Sequence, residues 1–230
     1  MQVLPTVALK WHFLQIEHEQ PQICSMKIIC IGRNYANHAA ELGNAVPNSP
    51  LFFLKPDSAV LMHRHPFYLP DWTEDVHHEV ELLVKISKVG KCIAPEFAHR
   101  YFDEVSLGID FTARDVQTEC KANGHPWERA KAFDGSAVIS RQWVPLQQLG
   151  GDVQDLAFSM QKNGQVVQEG HSKNMIFSVK ELIACVSQYM TLKVGDVLFT
   201  GTPAGVGRVQ SGDVLTGTLC GRSMFEVHIR

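Results

Sequence analysis

Hydrophobic positions in this chain come as short runs broken by glycine, proline and polar clusters, not as long stripes at helical spacing. Residues 26–32 (MKIICIG) are an apolar, β-branched run ending in glycine, which predicts a buried strand. Residues 34–42 (NYANHAAEL) have a helix-compatible rhythm that stops at Gly43, and 43–50 (GNAVPNSP) predict a loop. A second apolar run, 51–54, ends in a Lys55-Pro56-Asp57 turn. Residues 63–78, rich in His, Pro and aromatics, predict irregular structure. Over 78–86, Glu79, Val80 and Glu81 alternate before a wholly apolar stretch, and Val84, Ile86 and Val89 favour strand over helix. Residues 95–103 predict a helix, and 105–111 a strand that carries Asp110 near its end. Further strands are predicted at 137–139, at Val144, at 197–200, at 214–220 and at 225–229. Residues 157–161 and 166–168 flank Asn163-Gly164, a strong hairpin signal. The clearest helix is 177–190, with Val179, Leu182, Ile183, Val186 and Tyr189 at helical spacing on one face.

Many short strands, few helices and no regular β-α-β alternation predict a β-rich α+β fold with a few peripheral helices. Met26 is a natural start for the compact part. Residues 1–25 are then an N-terminal extension and 26–230 a single catalytic domain.

Composition narrows the function classes without choosing one. With 230 residues, 45% hydrophobic and 20% charged, the chain is of ordinary globular type and long enough to bury a real core. The net charge is −3 and no basic stripe is visible, which argues against nucleic acid as a partner. No apolar run approaches the ~20 residues of a membrane span. The N-terminal stretch lacks the apolar core and cleavage site of a secretory signal, so a cytoplasmic location is expected. The six cysteines are scattered, with no C-x-x-C pair, and read as buried thiols of a reducing compartment.

Candidate chemistry centres on acidic residues. Glu79 and Glu81, two apart on a strand, point to one face. On a solvated face they would mean little. Followed by Leu82, Leu83 and Val84, they sit on an internal strand, where adjacent carboxylates ask for a hard cation with oxygen ligands: Mg2+, Mn2+ or Ca2+. Asp110 supplies a third carboxylate. His38 and Glu41, three apart on a short helix, form the kind of pair that orients an imidazole, although the same spacing also suits an ordinary surface contact. The loop at Gly43 would let that segment move as a lid does. Lys131, in ERAKAFD, reads locally as a surface lysine. The stretch 200–207 (TGTPAGVG) is neither a phosphate-binding loop nor a dinucleotide fingerprint. No cysteine carries a nucleophile signature, and the serine-hydrolase elbow is absent.

Six stretches in order resemble the fumarylacetoacetate hydrolase family: IGRNYANHAAELG (31–43), LFFLKPDSAV (51–60), HHEVELLV (77–84), GIDFTARDVQ (108–117), WERAKAFDGS (127–136) and DVLFTGTPAGVG (196–207). The resemblance is to its short single-domain bacterial branch and the mitochondrial relatives. It implies a mixed β-sandwich roll, usually homodimeric. It implies that Glu79, Glu81 and Asp110 hold Mg2+ or Mn2+, and that His38, Glu41 and Lys131 are catalytic, His38 and Glu41 as a dyad on a lid. It further implies that Arg33, Gln117 and Thr202 contact the substrate, and that Arg114 and Asp115 are structural neighbours of the metal strand.

The reactions of that branch are acylpyruvate hydrolysis, oxaloacetate decarboxylation and oxaloacetate tautomerisation. All pass through an enolate of a small 2-oxo acid, stabilised by a divalent cation. The first expectation is C–C bond hydrolysis of an acylpyruvate. Tautomerisation or decarboxylation of oxaloacetate at the same site is the alternative, and a non-catalytic ligand-binding protein on this scaffold is the more distant one.

Overall fold

The structure is a computed structural model that describes residues 26–230 except Leu42 and Asn44; the expected extension 1–25 lies outside the described residues. Among the described residues, strands pair into three sheets. The largest has β2 (Leu51–Lys55), β1 (Ile28–Gly32), β11 (Val197–Phe199), β4 (Val80–Ile86), β5 (Phe102–Asp110) and β7 (Ala137–Ile139) in that order, with β8 (Val144–Pro145) also against β5. A second sheet runs β10 (Gln165–His171), β9 (Ala157–Lys162), β13 (Val214–Leu219), β14 (Arg222–His228). A small third sheet runs β12 (Gly207–Arg208), β3 (Val76–His78), β6 (Thr112–Ala113). The helices are short: α1 (Ala36–Glu41), α2 (Arg114–Asn123), α3 (Glu128–Lys131) and α4 (Val179–Tyr189). The β-rich architecture with few helices is thus as expected.

The apolar runs are nearly continuous because the large sheet is buried on both faces, so alternate residues enter different cores. Ile29 and Ile31 of β1, Leu82 and Val84 of β4, and Leu198 of β11 join one cluster. The intervening Ile28, Cys30, Leu83, Val197 and Phe199 join another on the opposite face. The first cluster also takes Phe158 and Met160 of β9, Leu215 of β13 and Phe225 of β14, so it ties the second sheet to the first.

The Asn163-Gly164 hairpin forms as predicted, joining β9 to β10, with both turn residues at positive φ (54° and 78°). Helix α4 also forms, started by a Ser178–Glu181 capping box and burying Leu182, Ile183 and Val186. Two expectations change. Tyr189 is not on the buried face: it ends the helix, 68% exposed, with its ring against that of Phe52. Residues 95–103 are not one helix. A single 3-10 stretch, Pro95–Arg100, is cut short because buried Phe102 already belongs to β5.

Topology brings four segments to one place. The strand expected over 78–86 breaks at Glu79, where the chain passes from the small sheet (β3) to the large one (β4). Beside it lie the C-terminal end of β5 at Asp110, the segment after β1, and the loop after β11.

Candidate active site

Glu79, Glu81 and Asp110 are all buried, and each presents a carboxylate oxygen so that the three lie within 4.8 Å of one another. Backbone pairing fixes this arrangement. Asp110 N–H donates to the Glu79 carbonyl at 2.8 Å, and β4 pairs with β5 so that Val80 faces Ile109 and Glu81 faces Gly108.

Cations neutralise part of the cluster. Lys131 Nζ, at the end of α3, donates to Glu79 Oε2 at 2.8 Å and Asp110 Oδ2 at 2.7 Å, and to the Thr112 hydroxyl. Arg114, the first residue of α2, pairs with Glu79 Oε1 and donates to Gln117 Oε1 at 2.7 Å. Lys55, with a fully buried side chain, lies 2.8 Å from Asp110 Oδ1. It donates to Ser136 Oγ at 3.0 Å and to the Lys131 carbonyl, which holds α3 against β2. Local sequence gives Lys131 as a surface residue and Lys55 as part of a turn. Both are buried, because carboxylates from β4 and β5 draw them in.

Burial alone would push the Glu79 carboxyl up, but Lys131 and Arg114 together outweigh it and hold it far below the usual range. Lys131 shows the converse: burial disfavours its charge, while Asp110 and Glu79 more than restore it. Lys131→Met should therefore destabilise the fold by about 3–5 kcal/mol, the cost of leaving buried charge unpaired. A urea melt in chelator at pH 7 reads this as a lower midpoint with an unchanged slope.

Glu81 differs from the other two. Its Oε2 accepts from Gly201 N–H at 2.6 Å, and among the described residues it pairs with no cation. Burial and then the negative Asp110 and Glu79 push its carboxyl well above the ordinary 4.5. Asp110 Oδ1 is also short of a partner: it is buried, and Lys55 approaches outside hydrogen-bonding directions. A divalent cation with oxygen ligands fits these observations. Two of the three carboxylates retain buried acceptor capacity, and the donor set is the hard one that Mg2+, Mn2+ and Ca2+ take.

One narrow cleft is lined by all three carboxylates together with His38, Arg33, Gln117, Lys131 and Thr202. Eight of the nine residues singled out from sequence thus share one space, and the ninth, Glu41, holds His38 from behind, its Oε2 3.2 Å from His38 Nδ1. His38 is buried. Burial lowers its pKa below the ordinary 6.5 despite the opposing pull of Glu79 and Glu41, so the imidazole is neutral at neutral pH, with Nε2 free of the dyad contact. Glu41 also accepts from Gly205 N–H at 3.1 and 3.2 Å. Gly205 is obligatory there: its φ is +95°, and a Cβ would lie 2.2 Å from the Val167 carbonyl.

Arg33 and Lys121, the latter not foreseen from sequence, add two more cations to the cleft and have no ion-pair partner among the described residues. Lys121 is lowered to about 8 by partial burial and by the neighbouring Arg114, Arg33 and Lys131. Thr202 lines the cleft, and its hydroxyl donates to the Val80 carbonyl at 2.9 Å and accepts from Gln168 at 2.9 Å, which braces the loop against β4. Asp115 accepts from Thr73 Oγ1 at 2.6 Å and Glu74 N–H at 3.1 Å, tying α2 to the segment before β3. No helix among the described residues is long and apolar enough to cross a membrane.

The chain belongs to the fumarylacetoacetate hydrolase family. The family model described as fumarylacetoacetate (FAA) hydrolase C-terminal matches residues 27–227. The oxaloacetate tautomerase YcgM of Escherichia coli (strain K12) is 43% identical over 198 residues, covering 86% of this chain and 90% of that protein. The mitochondrial oxaloacetate tautomerase FAHD1 of Bos taurus is 41% identical over 194 residues, covering 84% and 87%. Among solved structures, fumarylpyruvate hydrolase from Pseudomonas aeruginosa, in complex with Mn2+ and pyruvate, superposes with a TM-score of 0.82 at 36% identity, covering 88% of each chain. This chain is therefore an enzyme of that family.

Proposed function

We propose that this enzyme catalyses keto–enol tautomerisation of oxaloacetate or a closely similar small 2-oxo acid, dependent on Mg2+ or Mn2+. The observation that carries the reading is that His38, held from behind by Glu41, and a buried carboxylate cluster open onto one cleft. The identity to proteins named oxaloacetate tautomerases supports placing isomerisation ahead of the hydrolysis first expected from sequence.

Glu79, Glu81 and Asp110 would hold the cation, which supplies Lewis-acid polarisation of the substrate's 2-oxo group. Neutral His38 takes a proton from the carbon next to that group through Nε2 and delivers it to the enolate oxygen, which gives the enol and restores the neutral imidazole; the same transfers in reverse give the keto form. Glu41 holds Nδ1 and stabilises the imidazolium while the proton is on the ring. Lys131 and Arg114 place positive charge where the enolate oxygen gains negative charge. Arg33 and Lys121 suit a second carboxylate on the substrate. In the same reading the enzyme works in the cytoplasm as a homodimer.

Hydrolysis of an acylpyruvate is the second reading, favoured by the likeness to a fumarylpyruvate hydrolase. There His38 would take its proton from water, which then attacks the distal carbonyl. Decarboxylation would use the cluster without an attacking water. One assay separates them: oxaloacetate and acetylpyruvate, with and without Mg2+, following enol absorbance and pyruvate production independently. Mg2+-dependent loss of the oxaloacetate enol signal without pyruvate is expected. Faster pyruvate release from acetylpyruvate than enol conversion would overturn the order. Activity unchanged by chelation would overturn the metal dependence.

A further inference from the structure

Gln168, on β10, is a residue that neither the family resemblance nor the cleft lining brings forward. Its side chain is 1% exposed. The β9–β10 pairing shifts register between Val166 and Gln168, and a bulge of this kind re-aims the side chain that follows it. Here it turns Gln168 inward, between exposed Val166 and Glu169.

Every hydrogen bond a primary amide can make is used. Oε1 accepts from Val80 N–H at 3.0 Å and faces His78 Nδ1 at 3.1 Å. Nε2 donates to Thr202 Oγ1 at 2.9 Å and to the Pro203 carbonyl at 3.0 Å. Val80 is the residue between Glu79 and Glu81. Its N–H is held by Gln168 and its carbonyl by Thr202, which Gln168 also holds. The next contacts in the same lacing are Gly201 N–H to Glu81 Oε2 at 2.6 Å and the Thr200 hydroxyl to the Leu82 carbonyl at 2.9 Å. Gln168 thus ties, from β10, the turn that aims both glutamates to the loop that orients Glu81, and it holds Thr202, which spans the same two segments.

We propose that Gln168 is a positioning residue for the cation site, setting the directions of Glu79 and Glu81 through Val80 and the 200–203 loop. The inference rests on the reading of Glu79, Glu81 and Asp110 as cation ligands. Groups that orient ligands without touching the ion typically change affinity by about 10–100-fold when removed. A residue needed only for stability would lower the melting temperature and leave affinity alone.

The test is calorimetric titration of the purified chain with Mn2+. Gln168→Met keeps the length of the side chain and removes all four hydrogen bonds, and should weaken Mn2+ binding on the order of 10–100-fold. Thr202→Val removes the same brace from the other side and should act in the same direction. The double variant should be little weaker than the worse single, because both work through Val80. If Gln168→Met does not fold, Gln168→Glu keeps the acceptor for Val80, loses both donors, and should still weaken binding. Mn2+ affinity within twofold of wild type in a folded Gln168 variant overturns the proposal. So does full additivity of the two substitutions. Wild-type Mn2+ binding that survives Glu81→Ala overturns the cation reading itself, a separately recognisable result.

Discussion

Glu81→Gln is expected to abolish divalent-cation binding and turnover together, while leaving the chelated protein as stable as wild type or more so. The substitution keeps the shape of the side chain and an acceptor for Gly201 N–H, and removes only a charge. That charge sits buried beside Asp110 and Glu79 with no cation of its own, which is why its carboxyl titrates well above 4.5. A raised folded-state value means that Glu81 stabilises the chelated fold fully only below about 4.5, and that this contribution is lost as pH rises through the raised value. Wild-type protein in chelator should therefore lose stability over that window, and Glu81→Gln should lack this loss. Added Mn2+ reverses the sign, because a cation favours the ionised carboxylate. At a concentration of 100 times Kd, binding stabilises by about 2.7 kcal/mol. That corresponds to roughly 5–10 °C of melting temperature in a chain of this size. Thermal melts with and without Mn2+ from pH 4.5 to 8 check both halves. A Glu81→Gln protein that keeps the full Mn2+-induced shift would remove Glu81 from the ligand set.

Much of this site could be read in the chain because its parts are local. The E-x-E pair, the acidic end of an apolar run and the i,i+3 His–Glu pair are short-range patterns, and the folded chain brings Glu79, Glu81, Asp110 and His38 to one cleft, with Glu41 behind His38. What escaped reading depends on partners far away in sequence. Lys55 and Lys131 are indistinguishable from surface lysines until Asp110 lies beside both. Gln168 shows nothing in QVVQEG, since a register shift decides which way it faces. Helix α2 is hard to read from sequence for a different reason. Its buried residues are Val116, Gln117 and Cys120, so a polar side chain sits where an apolar stripe would be looked for. Its left-handed cap at Gly124 was a usable signal. The break at Glu79 was hidden because β3 and β4 are adjacent in sequence but belong to different sheets.

His38→Ala should lower kcat by about 10²–10⁴-fold, the usual contribution of a positioned acid–base group, with Mn2+ affinity nearly unchanged. The split is expected because His38 reaches the cleft from α1, while the three carboxylates are fixed by strand pairing and by Gly201, Lys131 and Arg114. The pH profile carries the stronger test. Burial lowers the His38 pKa, and Glu79 and Glu41 partly restore it, so kcat/KM should hold constant below pH 6.5 before falling on the acid side. Glu41→Gln removes one of the two restoring carboxylates. The imidazole then binds its proton less tightly, and the acid limb must move to lower pH even as kcat drops. A bound cation near Glu79 pushes in the same direction, so the sign is the same in the loaded enzyme. Rate measurements from pH 4.5 to 8 on wild type, Glu41→Gln and His38→Ala decide it. An acid limb that moves up in Glu41→Gln, or that persists unchanged in the residual activity of His38→Ala, would mean another group carries the proton.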